Sequence, residues 1–318
     1  MIRPKVSIIL LNYNGYEDSI SCFQSLKKIS YVNYEVIIVD NASPDNSMDK
    51  FLAYMQEKEI KHVFFNTPES AMESVSPDHS VSLIQSGING GYGYGNNIGI
   101  KYSLKNGADY VLILNNDTVV DSDFLEPMVH KCEEDHRIGI VSGKIYFYDR
   151  PNTIWFNGGK FNQCTAKVEH FNFNEKDVGQ VPKEPVTFIS GCMWLIPSKV
   201  FENIGFINEE YFMYIEDLEF CQRLIQRGYS LKVLGNGSVY HKVGNSTGGE
   251  YSPFSVFWRT RNMNKLISTA SQPILYKLTA YMLFNLKTIV QLIRTKKLSL
   301  LKDYTNAVCS FRKDKNAT

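Results

Sequence analysis

The stretch VLILNNDTVV, residues 111–120, joins a core strand to a polar end. Its first four residues are apolar, as is typical of a strand buried in a parallel sheet. Two amides, Asn115 and Asn116, and one carboxylate, Asp117, follow, and a second β-branched run begins directly after them. A single acid between hydrogen-bonding side chains thus stands at the end of a predicted core strand, where α/β proteins bind ligands.

Other predicted strands end in the same way. Residues 5–14, KVSIILLNYN, run into Asn12 and Asn14, and residues 34–43, YEVIIVDNAS, include Asp40. Segments with helical periodicity separate the strands, which predicts an α/β fold with a mixed, mainly parallel sheet and helices on both faces. The polar strand ends should then converge on one crevice. At any single site, Asn and Asp could instead simply turn the chain.

The composition is that of an ordinary globular protein, with 318 residues of which 43% are hydrophobic and 21% charged. Six cysteines show no CxxC pair and no metal-ligand spacing, which favours a reduced, cytosolic chain. The first ten residues run directly into a predicted strand, and no export signal is expected. Residues 66–80 form a longer connection than the neighbouring elements require.

Charge is distributed unequally along the chain. Residues 253–318 carry twelve Lys and Arg against two Asp, a formal charge of +10, whereas residues 1–252 carry 22 basic and 31 acidic residues, or −9. Residues 273–293 are apolar, but Lys277 and Lys287 interrupt them, and a charge near mid-bilayer costs about 2.5–3.5 kcal/mol. Helices lying on an anionic membrane surface are therefore predicted.

The alternative is that these helices pack on the rest of the chain or form a homodimer interface. Nucleic acid is not expected as a partner, because the basic segment contains no recognised binding module.

Eight motifs occur in an order that resembles one enzyme family. They are VSIILLNYNG, VIIVDNASPDNS, NGGYGYGNNIG, VLILNNDTVV, SGCMWLIPSKVF, FMYIEDLEFCQRL, VYHKVGNS and WRTRN. Over roughly residues 5–265 the chain resembles an inverting family 2 glycosyltransferase of GT-A fold, in its rhamnosyltransferase-like branch. The resemblance implies sugar transfer from a nucleotide-diphospho-sugar, with dTDP-rhamnose favoured and a UDP-hexose as alternative. It also implies a glycan or lipid-linked glycan acceptor, and bacterial surface polysaccharide synthesis at the inner face of the plasma membrane.

The resemblance also divides the chain. Residues 1–120 would form the nucleotide-sugar-binding half, residues 121–252 the acceptor-binding and catalytic half of the same domain, and residues 253–318 a basic helical segment. A nucleotidyltransferase or a catalytically inactive nucleotide-sugar-binding protein remains the alternative. The first of these would need a basic residue in the loop NYNGYED, which has none.

The strand ends and the Gly-Asn loop, which is the motif NGGYGYGNNIG at residues 89–99, are the expected nucleotide-sugar site. By resemblance, Asp40 accepts a hydrogen bond from a pyrimidine imide N–H. Glycines such as Gly90 and Gly91 lack Cβ atoms, so backbone can approach a ligand closely, although a flexible turn is the alternative. Asn96 and Asn97 are predicted to begin a helix whose N-terminus favours phosphate. The full expected set is Asn12, Asn14, Asp40, Asn89, Gly90, Gly91, Asn96, Asn97, Asn115, Asn116 and Asp117.

Asp117 is the expected metal anchor. Loss of a diphosphate develops negative charge that Mn²⁺ or Mg²⁺ can neutralise, and Mg²⁺ commonly takes one or two carboxylates beside phosphate and water. The family motif here is Asp-x-Asp, but this chain offers Asp117 alone. His241 is the expected second ligand, since Gly244 and Ser246 match the family loop; an ordinary loop histidine is the alternative.

The acidic run at residues 216–219 supplies the expected base. Direct displacement at an anomeric carbon needs a carboxylate that takes the acceptor hydroxyl proton. The resemblance gives that role to Asp217, while Glu216 orients the acceptor. Acids at a helix start also complement the helix dipole, which is the structural alternative. The expected acceptor contacts are Trp194, Tyr214 and Glu216.

Overall fold

A ten-stranded sheet crosses the part of the molecule that the computed structural model describes, which comprises residues 3–74, 81–182, 185–243, 249 and 251–316. Two further strands, β9 and β10, form a separate hairpin. The strands are β1 (Val6–Asn12), β2 (Tyr34–Asp40), β3 (His62–Phe65), β4 (Val81–Gln85), β5 (Tyr110–Asn115), β6 (Thr118–Val120), β7 (Ile138–Phe147), β8 (Arg150–Phe156), β9 (Gly159–Asn162), β10 (Lys167–His170), β11 (Met193–Pro197) and β12 (Ser230–His241).

Strand order explains how the chain builds one polar edge. The order is β3-β4-β2-β1-β5-β11-β7-β12-β6, with β8 paired to β7. The first five of these strands are parallel to one another. β11 is antiparallel to both of its neighbours, and β12 is parallel to β7. The prediction of a mixed, mainly parallel sheet is therefore confirmed.

Helices connect the strands and extend the chain at its C-terminus. They are α1 (Tyr16–Leu26), α2 (Ser47–Glu57), α3 (Pro68–Glu73), α4 (Gly91–Lys105), α5 (Leu125–Glu134), α6 (Ser198–Ile204), α7 (Glu216–Gln226), α8 (Pro253–Thr269), α9 (Ile274–Arg294) and α10 (Leu301–Asn316). The apolar centres of β1, β2 and β5 are almost completely buried. Their burial drives the sheet together, because apolar area removed from water stabilises by roughly 25 cal/mol per Å².

β3 and α3 are among the elements that were not predicted from the sequence. β3 is a four-residue strand with only its last residue buried, too short to show a period. α3 lies in the long connection at residues 66–80 and begins with a capping box: Thr67 accepts from Ser70 N at 3.2 Å, and Pro68 occupies the first turn. Residues 75–80 of this connection lie outside the described residues.

The three C-terminal helices differ in how they pack. α8 contributes Met263, Leu266 and Ile267 to the same core as the sheet. A reciprocal pair of side-chain amides, Asn264 and Asn285, joins α8 to α9 in the interior. α10 packs mainly on α8. Among the described residues, none of the helices combines the length and hydropathy needed to cross a bilayer.

Candidate active site

Register brings the polar strand ends side by side. Asn12 at the end of β1 lies opposite Asp40 at the end of β2, and Leu11 lies opposite Asn115 at the end of β5. Gln85, the last residue of β4, is the partner of Asp40 on the other side. The sequence-based expectation that these ends share one edge of the sheet is confirmed.

Asp40 is held in place by its neighbours. It is 1% exposed, and its carboxylate accepts from Asn12 Nδ2 at 2.7 Å and from Ser43 Oγ at 2.6 Å and Ser43 N at 3.0 Å. Three donors satisfy most of the acceptor capacity of a carboxylate. Ser43, which the motif analysis did not single out, also accepts from Asn14 N at 2.9 Å.

A second chain of hydrogen bonds connects β1 to the polar residues that follow β5. Ser19 Oγ, on α1, donates to Asn12 Oδ1 at 2.8 Å, and Asn116 Nδ2 donates to the same Ser19 oxygen at 2.8 Å. Asn12 and Asn116 therefore act inside a preformed network, and the side chain of Asn14 is exposed beside it.

The glycines of the Gly-Asn loop allow close packing against other parts of the chain. Gly91 has φ +87°, and a Cβ there would lie 2.0 Å from the carbonyl oxygen of Phe212. A Cβ on Gly95 would lie 2.3 Å from Leu11, and one on Gly99 would lie 2.8 Å from Ile9. The expectation that Gly91 lacks a Cβ for the sake of a ligand is wrong. These residues let α4 approach β1 and the chain before α7.

Helix α4 also begins earlier than predicted. Its first residue is Gly91, Gly90 precedes it, and Asn89 Oδ1 accepts from Gly91 N at 3.1 Å. The prediction that Asn96 and Asn97 begin the helix is therefore wrong. Both lie more than one turn inside it and are 1% exposed.

The amides of this helix are engaged with protein groups. Asn97 Nδ2 donates to Ile207 O and to Glu209, each at 2.8 Å, and Asn96 Nδ2 donates to Tyr92 O at 2.9 Å. These contacts position neighbouring backbone. Neither residue is placed at the helix N-terminus, where a phosphate would be bound.

Strand pairing places Asp117 against His241. β6 pairs with β12 so that His241 lies opposite Thr118, the residue after Asp117. His241 Nε2 lies 3.1 Å and 3.2 Å from the two carboxylate oxygens of Asp117. The edge of Trp155 contacts the imidazole, with ring centroids 4.4 Å apart. The two residues expected to bind metal are therefore adjacent.

This pair suits a divalent cation that also has ligands from a substrate. A carboxylate and an imidazole Nε2 are both ligands for Mn²⁺, and His241 Nδ1 finds no hydrogen-bond partner among the described residues. No group of three or more His, Cys, Asp or Glu suited to a metal occurs in the described ranges. Gly244 and Ser246, which supported His241 in the sequence, lie outside those ranges.

Two adjacent carboxyl groups begin α7. Asp217 Oδ2 accepts from Gly191 N at 3.3 Å and Oδ1 from Leu218 N at 2.7 Å. Burial raises the pKa of Asp217 to about 6. Burial, followed by the charge of Asp217, raises the pKa of Glu216 well above its usual range. At neutral pH this pair can hold one ionised and one protonated carboxyl group.

The backbone at Gly191 and Cys192 links the two halves of the site. Gly191 N donates to Asp217, and Cys192 O accepts from Asn115 N at 2.9 Å. Tyr92 Oη, from α4, donates to Gly191 O at 2.5 Å. The carboxyl pair and the polar end of β5 are therefore brought close together by the backbone of Gly191 and Cys192.

The two expected aromatic acceptor contacts have different environments. Trp194 is fully buried, stacks on Phe220 with centroids 5.3 Å apart, and donates to Ile189 O at 3.1 Å. The prediction that it contacts an acceptor is wrong, because it is a core residue of β11. Tyr214 is partly exposed, and its hydroxyl lies 3.0 Å from Ser255 Oγ.

Several residues of the site were missed by sequence analysis. Gly191 and Asn262 stood inside recognised motifs, SGCMW and WRTRN, without a role of their own. Trp155 lies in β8, outside the eight motifs, and only its ring contact with His241 marks it.

Known proteins resemble this chain in sequence and in fold. The model of the family described as Glycosyl transferase family 2 matches residues 7–205. A dTDP-rhamnosyl transferase, RfbF of Shigella flexneri, is 25% identical over 277 residues, covering 83% of this chain and 89% of that protein. The hexosyltransferase Agl10 of Haloferax volcanii is 26% identical and covers 69% of this chain and 61% of its own length.

Among solved structures, the mannosyltransferase PcManGT of Pyrobaculum calidifontis, in complex with GDP-Man and Mn²⁺, superposes with a TM-score of 0.58 at 14% identity, covering 98% of this chain and 75% of that one. Residues 1–349 of TarS from S. aureus give 0.57 at 16% identity, covering 96% and 80%. The expected GT-A fold is confirmed by these neighbours. Because the family model covers more than half of its residues, the chain belongs to glycosyl transferase family 2.

Proposed function

We propose that this protein transfers a sugar, with inversion, from a nucleotide-diphospho-sugar to a hydroxyl group of a glycan. Asp217 takes the acceptor proton while the acceptor oxygen bonds to the anomeric carbon. The bond from that carbon to the diphosphate breaks, and the nucleoside diphosphate leaves with the electron pair. The observation that carries the proposal is the Asp217 carboxylate, which accepts from Gly191 N, next to the Cys192 carbonyl that accepts from Asn115 N at the end of β5.

Glu216 has the complementary role in this proposal. Burial, and then the charge of Asp217, raise its pKa well above its usual range, which favours its protonated form. Its Oε2 has no hydrogen-bond partner among the described residues. A protonated carboxyl can donate one hydrogen bond, and we assign that bond to the acceptor, with Tyr214 beside it.

The donor binds across the polar edge of the sheet in this proposal. Asp40, Asn12 and Asn89 would line the nucleoside, and Asn115 and Asn116 the ribose and diphosphate. A dTDP-rhamnose donor is favoured, because a relative named as a dTDP-rhamnosyl transferase covers most of both chains. A UDP-hexose is the alternative. Membership of family 2 argues against a nucleotidyltransferase.

Asp117 and His241 would hold Mn²⁺ or Mg²⁺. The cation would supply positive charge to the departing diphosphate. A solved neighbour contains Mn²⁺ with GDP-Man, and the adjacency of the two side chains fits one cation with two protein ligands.

Helix α9 supports the proposal that the protein acts at the cytoplasmic face of a membrane. A row of its apolar residues is exposed: Ile274, Leu275, Leu278, Met282, Leu283, Leu286, Val290 and Ile293. We call this row the α9 stripe. Lys287 and Arg294, one heptad apart, lie along its flank. An apolar row beside cations suits an anionic lipid surface, which would also supply a lipid-linked acceptor.

The function is tested by titrating the intact protein with dTDP-rhamnose, UDP-glucose, UDP-galactose and UDP-N-acetylglucosamine, with and without Mn²⁺. We expect one of them to bind by calorimetry and to release nucleoside diphosphate when a glycan acceptor is added. The anomeric configuration of the product, read by NMR coupling, should be opposite to that of the donor. Retention of configuration, or failure of every donor to bind, would contradict the proposal.

A further inference from the structure

Two consecutive residues before the carboxyl pair have an unusual backbone. Tyr214 has φ 67° and Ile215 has φ 73°, values in the left-handed region. That region is uncommon for residues with a side chain and an outlier for a β-branched one. Ile215 is the N-cap of α7, and Glu216 and Asp217 are the first residues of the helix. Strain of this kind persists only where the surroundings enforce it.

Asn262 is the residue that holds this turn from the side of α8. It is completely buried, and its Nδ2 donates to Met213 O and to Tyr214 O, each at 2.9 Å. Both amide hydrogens are therefore used on successive carbonyls of the turn. Its Oδ1 accepts from Arg261 at 2.7 Å, which fixes the orientation of the amide.

The Gly-Asn loop holds the same segment from the other side. Tyr92 N donates to Phe212 O at 2.8 Å, and only a glycine at position 91 leaves room for that carbonyl. Phe212 also stacks on Trp258 of α8, with centroids 4.9 Å apart. The chain from Phe212 to Ile215 is thus fixed between α4 and α8.

We propose that Asn262 is a positioning residue for the transfer reaction: its two hydrogen bonds keep Tyr214 and Ile215 in the left-handed conformation that directs Asp217 toward Gly191 and the crevice. Without them, φ at Ile215 would return toward negative values and the first turn of α7 would rotate. The inference rests on the proposed function for its catalytic part. Its structural part stands on the turn alone.

The test compares Asn262→Ala with Asn264→Ala. Asn264 is a matched control because it is another buried amide of α8, and its bonds go to Asn285 on α9. Hydrogen–deuterium exchange is measured on both variants. We expect faster exchange at residues 212–218 in Asn262→Ala only, with the sheet unchanged. Equal exchange at 212–218 in the wild type and Asn262→Ala would overturn the proposal, whether or not a donor has been found.

Kinetics separate positioning from general stability. With the donor identified in the titration, kcat should fall about 10- to 100-fold in Asn262→Ala, since small misplacements of reacting groups have effects of that size. The dissociation constant for the donor should stay within about twofold. An unchanged kcat despite faster exchange at 212–218 would overturn the catalytic part.

A double variant checks the mechanism. Glycine adopts positive φ without strain, so Ile215→Gly should make the turn less dependent on Asn262. The fold-loss of kcat caused by Asn262→Ala should be smaller in the Ile215→Gly background than in the wild type. Equal fold-losses in both backgrounds would show that Asn262 does not act through the conformation of residue 215.

Discussion

In the proposed reaction, Asp217 would owe its strength as a base to burial. Water would otherwise hold its pKa near the usual value for aspartate, and a base of that strength takes protons poorly at neutral pH. Burial raises the pKa of Asp217 to about 6, while the hydrogen bonds from Gly191 N and Leu218 N keep the ionised form accessible. In the proposed reaction, this balance would give a base that is ionised near pH 7 and still able to take a proton.

The pH dependence of transfer follows directly. The base acts in its ionised form, so kcat/KM should rise with pH through about 6 and level off above it. An unshifted carboxyl group would level off about two pH units lower. Asp217→Asn should retain donor binding by calorimetry and lose about 10²- to 10⁴-fold in kcat at pH 7.5. A variant with near-normal turnover would exclude Asp217 as the base.

Metal dependence is a second consequence at the scale of single residues. With one carboxylate and one imidazole, the cation should depend on both, and we expect His241→Ala to raise the Mn²⁺ concentration for half-maximal activity. His130→Ala, at an exposed histidine of α5 outside the site, should leave that concentration unchanged. The measurement is a Mn²⁺ titration after chelation. Full activity of the wild type in excess chelator would contradict the metal assignment.

Among the elements, those with a clear period or a polar end could be predicted from the sequence. β1, β2 and β5 are apolar runs that end in Asn or Asp, and their convergence followed from parallel pairing. The roles of the glycines could not be predicted, because whether the space beside Gly91 holds a ligand or the Phe212 carbonyl depends on packing across 121 residues of chain. Trp194 was misassigned for the same reason. An aromatic residue in a strand can lie on either face of the sheet, and only the packing of α7 shows that Trp194 lies on a buried face.

At the scale of elements, the prediction concerns binding of helix α9 to anionic vesicles. The intact protein should sediment with vesicles that contain phosphatidylglycerol, and binding should fall as salt rises, since the screening length is about 8 Å at physiological ionic strength. Leu278→Glu with Leu286→Glu, which places two charges in the α9 stripe, should abolish binding. Ser299→Glu with Asn306→Glu adds the same charge at exposed positions outside the α9 stripe and should weaken binding only slightly.

The contrary outcome for α9 is equally definite. If the intact protein stays in the supernatant and elutes as a dimer that the Leu278 and Leu286 substitutions dissociate, the α9 stripe is a contact between copies of the chain. The membrane assignment would then be abandoned, and the assignment of the crevice would be unaffected.

For the whole molecule, the boundary between core and tail does not lie before α8, because α8 and Ala280 of α9 belong to the same buried core as the sheet. Met263, Leu266 and Ile267 are buried with the sheet, and fully burying each such side chain is worth about 1.5–3 kcal/mol. Their sum approaches the ~5–15 kcal/mol stability of a typical domain. The distribution of charge alone placed the boundary between core and tail at residues 252 and 253. A change in composition does not reveal whether one side of the following helix is buried against the sheet.

Two truncations distinguish these boundaries. A chain ending at Ser271 keeps α8 and should melt cooperatively, bind donor and lose vesicle binding. A chain ending at Tyr251 loses α8, together with Asn262, and should be recovered mainly as aggregate. Soluble fraction and thermal unfolding are the measurements. A well-folded chain ending at Tyr251 would show that α8 is dispensable for the core.

The reciprocal amide pair between Asn264 and Asn285 fixes the alignment of α9 on α8. If α9 slipped by one residue against α8, its outer side would turn by about 100° around the helix axis, and the two buried amides would lose their hydrogen bonds to each other. That loss makes a single alignment strongly preferred. A membrane surface in contact with the α9 stripe would therefore hold the crevice in a single orientation. An acceptor rising from that surface would reach Asp217 along one path.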